Sequence, residues 1–276
     1  MSTLVFASIC PHPPIIVPTI GSSSDLKKTS KTIEGFQKLA KIFQRAKPDI
    51  VIVISPHGPV DYSQFSLVIS PTLSGNFEMF GDFETKFEFK NSLETIDLIA
   101  KNCKLKNIPY RLIDFPQLDH GVLVPLYYLI RNYEPLPKIV PLAYSFLGVK
   151  TNFEFGRILY EITNLKDVTK NRKIAIIASG DLSHRLTLSA PAGFSPYGEV
   201  FDAKIIEYLE KKKIDKILNM DKKLIEGAGE CGYLSIVILL GAMSQVKHLF
   251  REIKFKILSY EAPFGVGYLV ANVRGL

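Results

Sequence analysis

The sequence predicts an α/β fold: a single domain over residues 1–276, with a mixed, largely parallel central sheet flanked by helices and a metal site at the carboxyl ends of its strands. Three observations predict it. Apolar runs of strand length alternate with segments whose apolar residues recur at helical spacing, the pattern of strands connected through helices. Two such runs end in matching turns, Pro11-His12-Pro13 and Pro56-His57-Gly58-Pro59. A third, Ile174-Ala-Ile-Ile-Ala178, reads as a strand buried on both faces and ends in Ser179-Gly180-Asp181-Leu182-Ser183-His184. In open α/β sheets ligands bind just beyond the carboxyl ends of strands, so an Asp and a His delivered there are candidates for chemistry. Taken alone, the segment has a plainer reading, with Asp181 capping the next helix and His184 on the surface.

Leu4 to Ile9 is the first expected strand. Prolines on both sides of His12 remove donors and fix the backbone, so the strand stops and the histidine sits in a stiff loop. Ser22-Ser-Ser-Asp25 offers N-caps for one helix through about Arg45, with Ile33, Phe36, Leu39, Ala40 and Phe43 on one face. Asp49 to Ser55 is the second buried strand. Two strand–Pro–His ends joined by one helix resemble a βαβ unit, whose strands are expected to be parallel neighbours with both histidines on one sheet edge. Phe65 to Ile69 and Thr85 to Phe89 are strand-like, and the stretch from Gly75 to Phe83 between them is expected to be a loop that covers a pocket.

A helix from Ser92 to Lys101 and a strand from Tyr110 to Ile113 follow. Leu118-Asp119-His120-Gly121 then leads into an apolar helix from Val122 to Ile130. Lys138 to Leu142 is a strand and Phe153 to Ile162 a helix. Beyond His184, helices are expected near Glu199 to Lys211 and Ile214 to Asn219. Gly227-Ala-Gly-Glu230-Cys231-Gly232 opens a very apolar helix, Tyr233 to Met243, and strands Phe255 to Ser259 and Gly267 to Val273 close the chain.

Hydrophobic residues make up 47% and charged residues 22%, which supplies a large core in one soluble domain. No apolar run approaches the roughly 20 residues of a membrane span, and the apolar start runs straight into Pro and His, as a strand rather than a secretory signal. The net charge of +7 comes largely from Lys scattered through helices, such as Lys211-Lys212-Lys213. Without an Arg-rich arm or an aromatic-interleaved basic stripe, this charge describes solvated helix faces and not a nucleic-acid footprint. Cys10, Cys103 and Cys231 are too widely spaced for a disulfide framework or a CxxC zinc site, which fits a reducing cytoplasm.

The histidines carry the strongest signal. His12, His57 and His184 follow strand ends, His120 precedes a helix, and only His248 lies in plainly polar sequence. Two histidines and one carboxylate with positions left open form the facial triad suited to non-haem Fe(II). His12 and His57 as neutral imidazoles, with Glu230 as the oxygen ligand and Glu261 in reserve, would supply it. His184 then stays free for acid/base work, since its ordinary pKa of about 6.5 permits proton exchange at neutral pH, and Asp181 is placed to orient its ring. Glu230 has a plainer reading as a helix-dipole partner. Zinc is the alternative metal, held by His12, His57 and His184, or by two histidines and Cys231. Walker A, GxGxxG, GxSxG and HExxH patterns are absent, which weakens nucleotide, serine-hydrolase and zincin readings.

Pro11-His12-Pro-Pro, Ser55-Pro-His57, Leu118-Asp-His120-Gly, Ser179-Gly-Asp-Leu-Ser-His184, Glu230-Cys-Gly and Glu261-Ala-Pro-Phe-Gly-Val-Gly-Tyr268 together resemble the LigB-type class III extradiol dioxygenase superfamily. The nearest branch in pattern is AmmeMemoRadiSam system protein B, related to Memo proteins. The resemblance implies one α/β domain with Fe(II) on the carboxyl edge of its sheet, His12 and His57 as metal ligands, His184 as acid/base and His120 as a second pocket histidine. The third ligand is a Glu in true dioxygenases and a Cys in Memo-like relatives, and here Glu230 and Cys231 stand side by side. The implied substrates are a small aromatic diol and O2. The other implied role is that of a metal-binding accessory protein with a radical-SAM partner, for which zinc or copper would replace iron. The family's dioxygenases are often multi-subunit, so a homo-oligomer is compatible with the resemblance.

Overall fold

The computed structural model describes residues 4–131, 133–163, 172–245 and 253–276. His248 lies outside the described residues. Strands β1 (Leu4–Cys10), β2 (Ile50–Ser55), β7 (Lys138–Ala143) and β8 (Ile174–Ser179) run parallel and form the middle of an eight-stranded sheet. Its spatial order is β6-β3-β7-β2-β8-β1-β10-β9, with β3 (Phe65–Val68), β6 (Tyr110–Ile113), β9 (Lys254–Glu261) and β10 (Tyr268–Arg274) at the flanks. β3 is antiparallel to β7, and β10 is antiparallel to both β1 and β9, so the sheet is mixed. β4 (Thr72–Phe77) and β5 (Asp82–Lys90) form a separate hairpin.

The central strands are apolar at every position because both their faces are covered. Ile50, Ile52 and Ile54 of β2 point into one core, while Val51 and Val53 point into the other. The first core is closed by α3 (Leu93–Leu105), α5 (Val149–Ile162), α6 (Pro196–Glu210) and α9 (Tyr233–Ser244). The second is closed by α2 (Ser30–Ala46) and α4 (His120–Leu129). Each fully buried Ile or Val contributes about 2 kcal/mol, which is why strand sequence and sheet position agree so closely here. No helix among the described residues is long and apolar enough to cross a membrane.

Three features differ from expectation. β1 and β2 are parallel but not neighbours, because β8 inserts between them and pairs with both. The expected single helix before β2 is two, α1 (Ser23–Lys28) and α2, broken at Thr29 (φ −99°, ψ 17°). A short helix, α8 (Lys222–Ala228), precedes the Glu230 turn, and α7 (Ile214–Leu218) leads into it. The insertion of β8 matters most. It places the ends of β1, β8, β2 and β7 side by side, with Cys10 opposite Ser179, Ile54 opposite Ala178 and Ser55 opposite Ala143.

Candidate metal centre

His12 lies two residues past the end of β1 and is held from two sides. Its amide donates to Oδ1 of Asp181 at 2.9 Å, and its Nδ1 lies 3.0 Å from Oγ of Ser179. The Ser179 hydroxyl gives its single proton to the Gly121 carbonyl at 2.5 Å, so its oxygen must accept from Nδ1–H of His12. That fixes the His12 tautomer and leaves a lone pair on Nε2. Nε2 of His57 faces it at 3.0 Å. The His57 amide donates to Oγ of Ser55, whose hydroxyl donates to Oδ1 of Asp119 at 2.5 Å. Asp119 also caps α4 through the Val122 amide, which sets His120 at the first position of that helix. The His120 ring stacks on His57 at 4.3 Å and meets His12 edge-on at 5.2 Å. The ligating atoms of His12, His57 and His120 all lie within 4.8 Å of one another.

The turn after β8 is stitched to the loop before α9. The carbonyl of Asp181 accepts from the amides of Cys231 and Gly232, at 3.4 and 2.9 Å. This contact needs glycine on both sides, since a Cβ on Gly180 would lie 2.2 Å from Cα of Gly232. The result is that Sγ of Cys231 reaches to 3.7 Å from Nε2 of His12. On the same turn His184 donates from Nδ1 to the Gly229 carbonyl at 2.7 Å, which leaves Nε2 as its free basic nitrogen, 4.0 Å from Oδ2 of Asp181. The structure thus brings together His12, His57 and His120, with Cys231 alongside and His184 and Asp181 on the adjoining turn. The two candidate carboxylates are engaged elsewhere. Oε2 of Glu230 accepts from the Tyr233 amide at 2.5 Å, at the start of α9. Oε1 of Glu261 accepts from the amide and hydroxyl of Thr32, both at 2.6 Å, in the first turn of α2.

Electrostatics favour neutral rings and disfavour neighbouring anions. Burial, and then His57, His120 and His184, holds His12 well below the ordinary range. Burial lowers His57 and His184 as well, and burial followed by His57 takes His120 down to about 4. Burial raises Asp181 and Glu230 to about 7 and the Cys231 thiol well above its usual value. The His120 shift carries a pH dependence. Unfolded His120 takes up its proton as pH falls through 6.5, whereas the folded ring stays neutral to about 4. The unfolded state therefore binds more protons in that window, and stability is lost as pH falls from 6.5 towards 4. His120→Asn should remove this loss. Relative to the wild type, the metal-free variant should gain about 2 kcal/mol between pH 7 and 4.5 in urea unfolding. Parallel pH profiles for the two proteins would contradict it.

These residues fit a divalent cation. Two imidazole nitrogens 3.0 Å apart, at least one presenting a lone pair, must share a proton or a cation. Two nitrogens each about 2.1 Å from one ion and at right angles lie about 3.0 Å apart, and a sulfur at about 2.3 Å lies about 3.6 Å from such a nitrogen at the tetrahedral angle. A cation would also stabilise the carboxylate and thiolate forms that burial opposes.

Two neighbours of the centre escaped the sequence reading. Tyr144 follows β7 as the histidines follow their strands, and its phenol is raised first by burial and then by the nearby Glu230 and Cys231. A strand-end position was its only signal. Phe80, in a short 3-10 turn between β4 and β5, brings its ring to 5.3 Å from that of His120, so the stretch expected to cover a pocket is a hairpin that reaches the centre.

A parallel-centred α/β sheet with histidines gathered at its carboxyl edge forms a candidate metal centre. The chain belongs to the LigB family, described as the catalytic LigB subunit of aromatic ring-opening dioxygenase, which matches residues 6–271. It is 34% identical over 282 aligned positions to Protein CA_C1420 of Clostridium acetobutylicum, an alignment covering 96% of this chain and 56% of that protein. The chain therefore spans little more than half the length of that relative. Its fold is similar to that of an uncharacterized protein, JW3007, from Escherichia coli K12, with a TM-score of 0.65, 19% sequence identity and coverage of 97% and 99% of the two chains.

Proposed function

We propose that the protein is a non-haem Fe(II)-dependent extradiol dioxygenase-like enzyme that opens the ring of a small aromatic diol with O2, at a centre held by His12 and His57. The observation that carries this reading is the 3.0 Å approach of two Nε2 atoms on rings kept neutral by burial. A ferrous ion held by His12 and His57 would supply the Lewis-acid and redox chemistry that a diol and O2 require. The chain supplies the proton handling. Nε2 of His184, free because Nδ1 is committed to Gly229, accepts a proton from a diol hydroxyl and later returns it to the cleaved product. Asp181 faces that nitrogen and fixes the turn through the His12 amide. His120, stacked on His57, presents its ring to ligands beside the two histidines.

A second reading is favoured by one specific observation, the 3.7 Å separation of Cys231 Sγ from Nε2 of His12 while Glu230 turns to the Tyr233 amide. In it the protein is a Memo-like metal-binding accessory to a radical-SAM partner, with a thiolate in place of the carboxylate. Thiolate and imidazole together suit zinc or copper better than a catechol-opening iron centre. Anaerobic Fe(II) titration of the wild type, Glu230→Ala and Cys231→Ser separates the two. One tight iron lost only with Glu230 supports the dioxygenase and justifies an oxygen-consumption screen with catechols. Loss only with Cys231, or a preference for zinc or copper, supports the accessory role. No bound metal in the wild type removes both.

A further inference from the structure

The hairpin β4–β5 takes no part in the eight-stranded sheet, yet it is fastened firmly at two places. At its base, Ser74 exchanges backbone hydrogen bonds with the segment that leads to His120, its amide to Pro116 and its carbonyl from Leu118. Gly75 makes that seat possible, since a Cβ there would lie 2.7 Å from Leu123 and 3.0 Å from the Leu118 carbonyl. At its tip, Asp82 accepts from the amides of Glu84 and Thr85 and, at 2.5 Å, from the hydroxyl of Thr19 in the loop that follows His12. The hairpin is thus tied at its base to the segment before His120 and at its tip to the loop after His12.

What these ties hold in place is Phe80. Its ring stands edge-on to His120 at 5.3 Å and 73°, on the ring that stacks against His57. Phe80 is half-buried, whereas its neighbours Met79 and Phe83 are 92% and 66% exposed; Phe77 at the same end is fully buried in the core, so Phe80 is the apolar side chain of the tip that meets the histidines. A phenyl group fixed beside His120 excludes water from that side of the ring and would limit how far a ligand bound there could extend.

We infer that Phe80 is the specificity-determining residue of this centre, setting the largest ligand that can be taken beside His57 and His120. This rests on the proposed metal centre, and its test separates the two. Cobalt(II), whose visible absorption reports added ligands, is titrated into the wild type, Phe80→Leu and Phe80→Ala. Each loaded protein is then titrated with imidazole and with 4-phenylimidazole, which offer the same donor nitrogen in different sizes. The wild type should bind imidazole in clear preference. Phe80→Ala should gain at least about tenfold for 4-phenylimidazole and change little for imidazole, and Phe80→Leu should fall between. Asp82→Asn, which weakens the tie to Thr19, should shift the preference in the same direction as Phe80→Ala. If cobalt binds but all variants keep the wild-type preference, Phe80 does not set the limit and the inference is wrong. If cobalt does not bind the wild type at all, it is the metal centre that fails.

Discussion

His57→Ala should abolish tight metal binding and leave the fold standing. His57 is the most open of the three clustered histidines, so its truncation opens no core cavity. It does remove one of the two Nε2 atoms that face each other at 3.0 Å. Losing even an outer partner of a metal ligand costs 10–100-fold in affinity, so losing a ligand should cost more than about 100-fold. His184→Ala should behave in the opposite way. Its Nδ1 is turned to Gly229 and its Nε2 to Asp181, so metal affinity should hold within about threefold while turnover falls by about 10²–10⁴. Metal analysis after gel filtration, with circular dichroism as the fold control, reads the first pair of outcomes. Loss of metal from His184→Ala to the same degree as from His57→Ala would erase this division of labour. His12→Ala is the less useful probe, because His12 is 3% exposed and ties β1 to the β8 turn through Asp181 and Ser179.

The strand ends were legible because burial writes itself into sequence. A strand covered on both faces has no room for polar residues, so Ile50 to Ile54 and Ile174 to Ala178 stand out, and whatever follows them stands at the sheet's carboxyl edge. His12, His57, His184 and Tyr144 all obey that rule, although only the histidines announced themselves chemically. Strand order was less legible. A helix between β1 and β2 says that the two are parallel, but the insertion of β8 is decided by pairing across more than a hundred residues of chain. The Glu230-Cys231-Gly232 motif names Cys231 as a candidate, but no local pattern of strand or helix places it beside His12. That position follows from a contact between Gly180 and Gly232, each of which reads in sequence as an ordinary turn glycine. Glu230 shows the converse. An acidic residue before an apolar helix satisfies both a ligand pattern and a helix-start pattern, and only the geometry places its carboxylate on the Tyr233 amide.

Gly180→Ala should therefore damage both stability and the metal centre, far more than a glycine-to-alanine change usually does. The added Cβ would meet Cα of Gly232 at 2.2 Å and its nitrogen at 2.9 Å, and backbone atoms cannot rotate aside as a side chain can. Either the end of β8 or the loop before α9 must move. Movement of either breaks the bonds from the Cys231 and Gly232 amides to the Asp181 carbonyl, and pulls Sγ of Cys231 away from His12. Overpacking of this kind costs about 3 kcal/mol, read as a lower urea midpoint. Metal affinity should fall at least about tenfold in the same protein, since a ligand shell tolerates little displacement. Gly58→Ala on the same sheet edge is the control. Its Cβ would meet Ala143 at 3.5 Å and Asp119 at 3.6 Å, ordinary contacts, and its stability should stay within about 0.5 kcal/mol of the wild type. If Gly180→Ala proved as stable and as tightly metal-bound as Gly58→Ala, the close crossing of the two loops could not be what delivers Cys231 to the histidines.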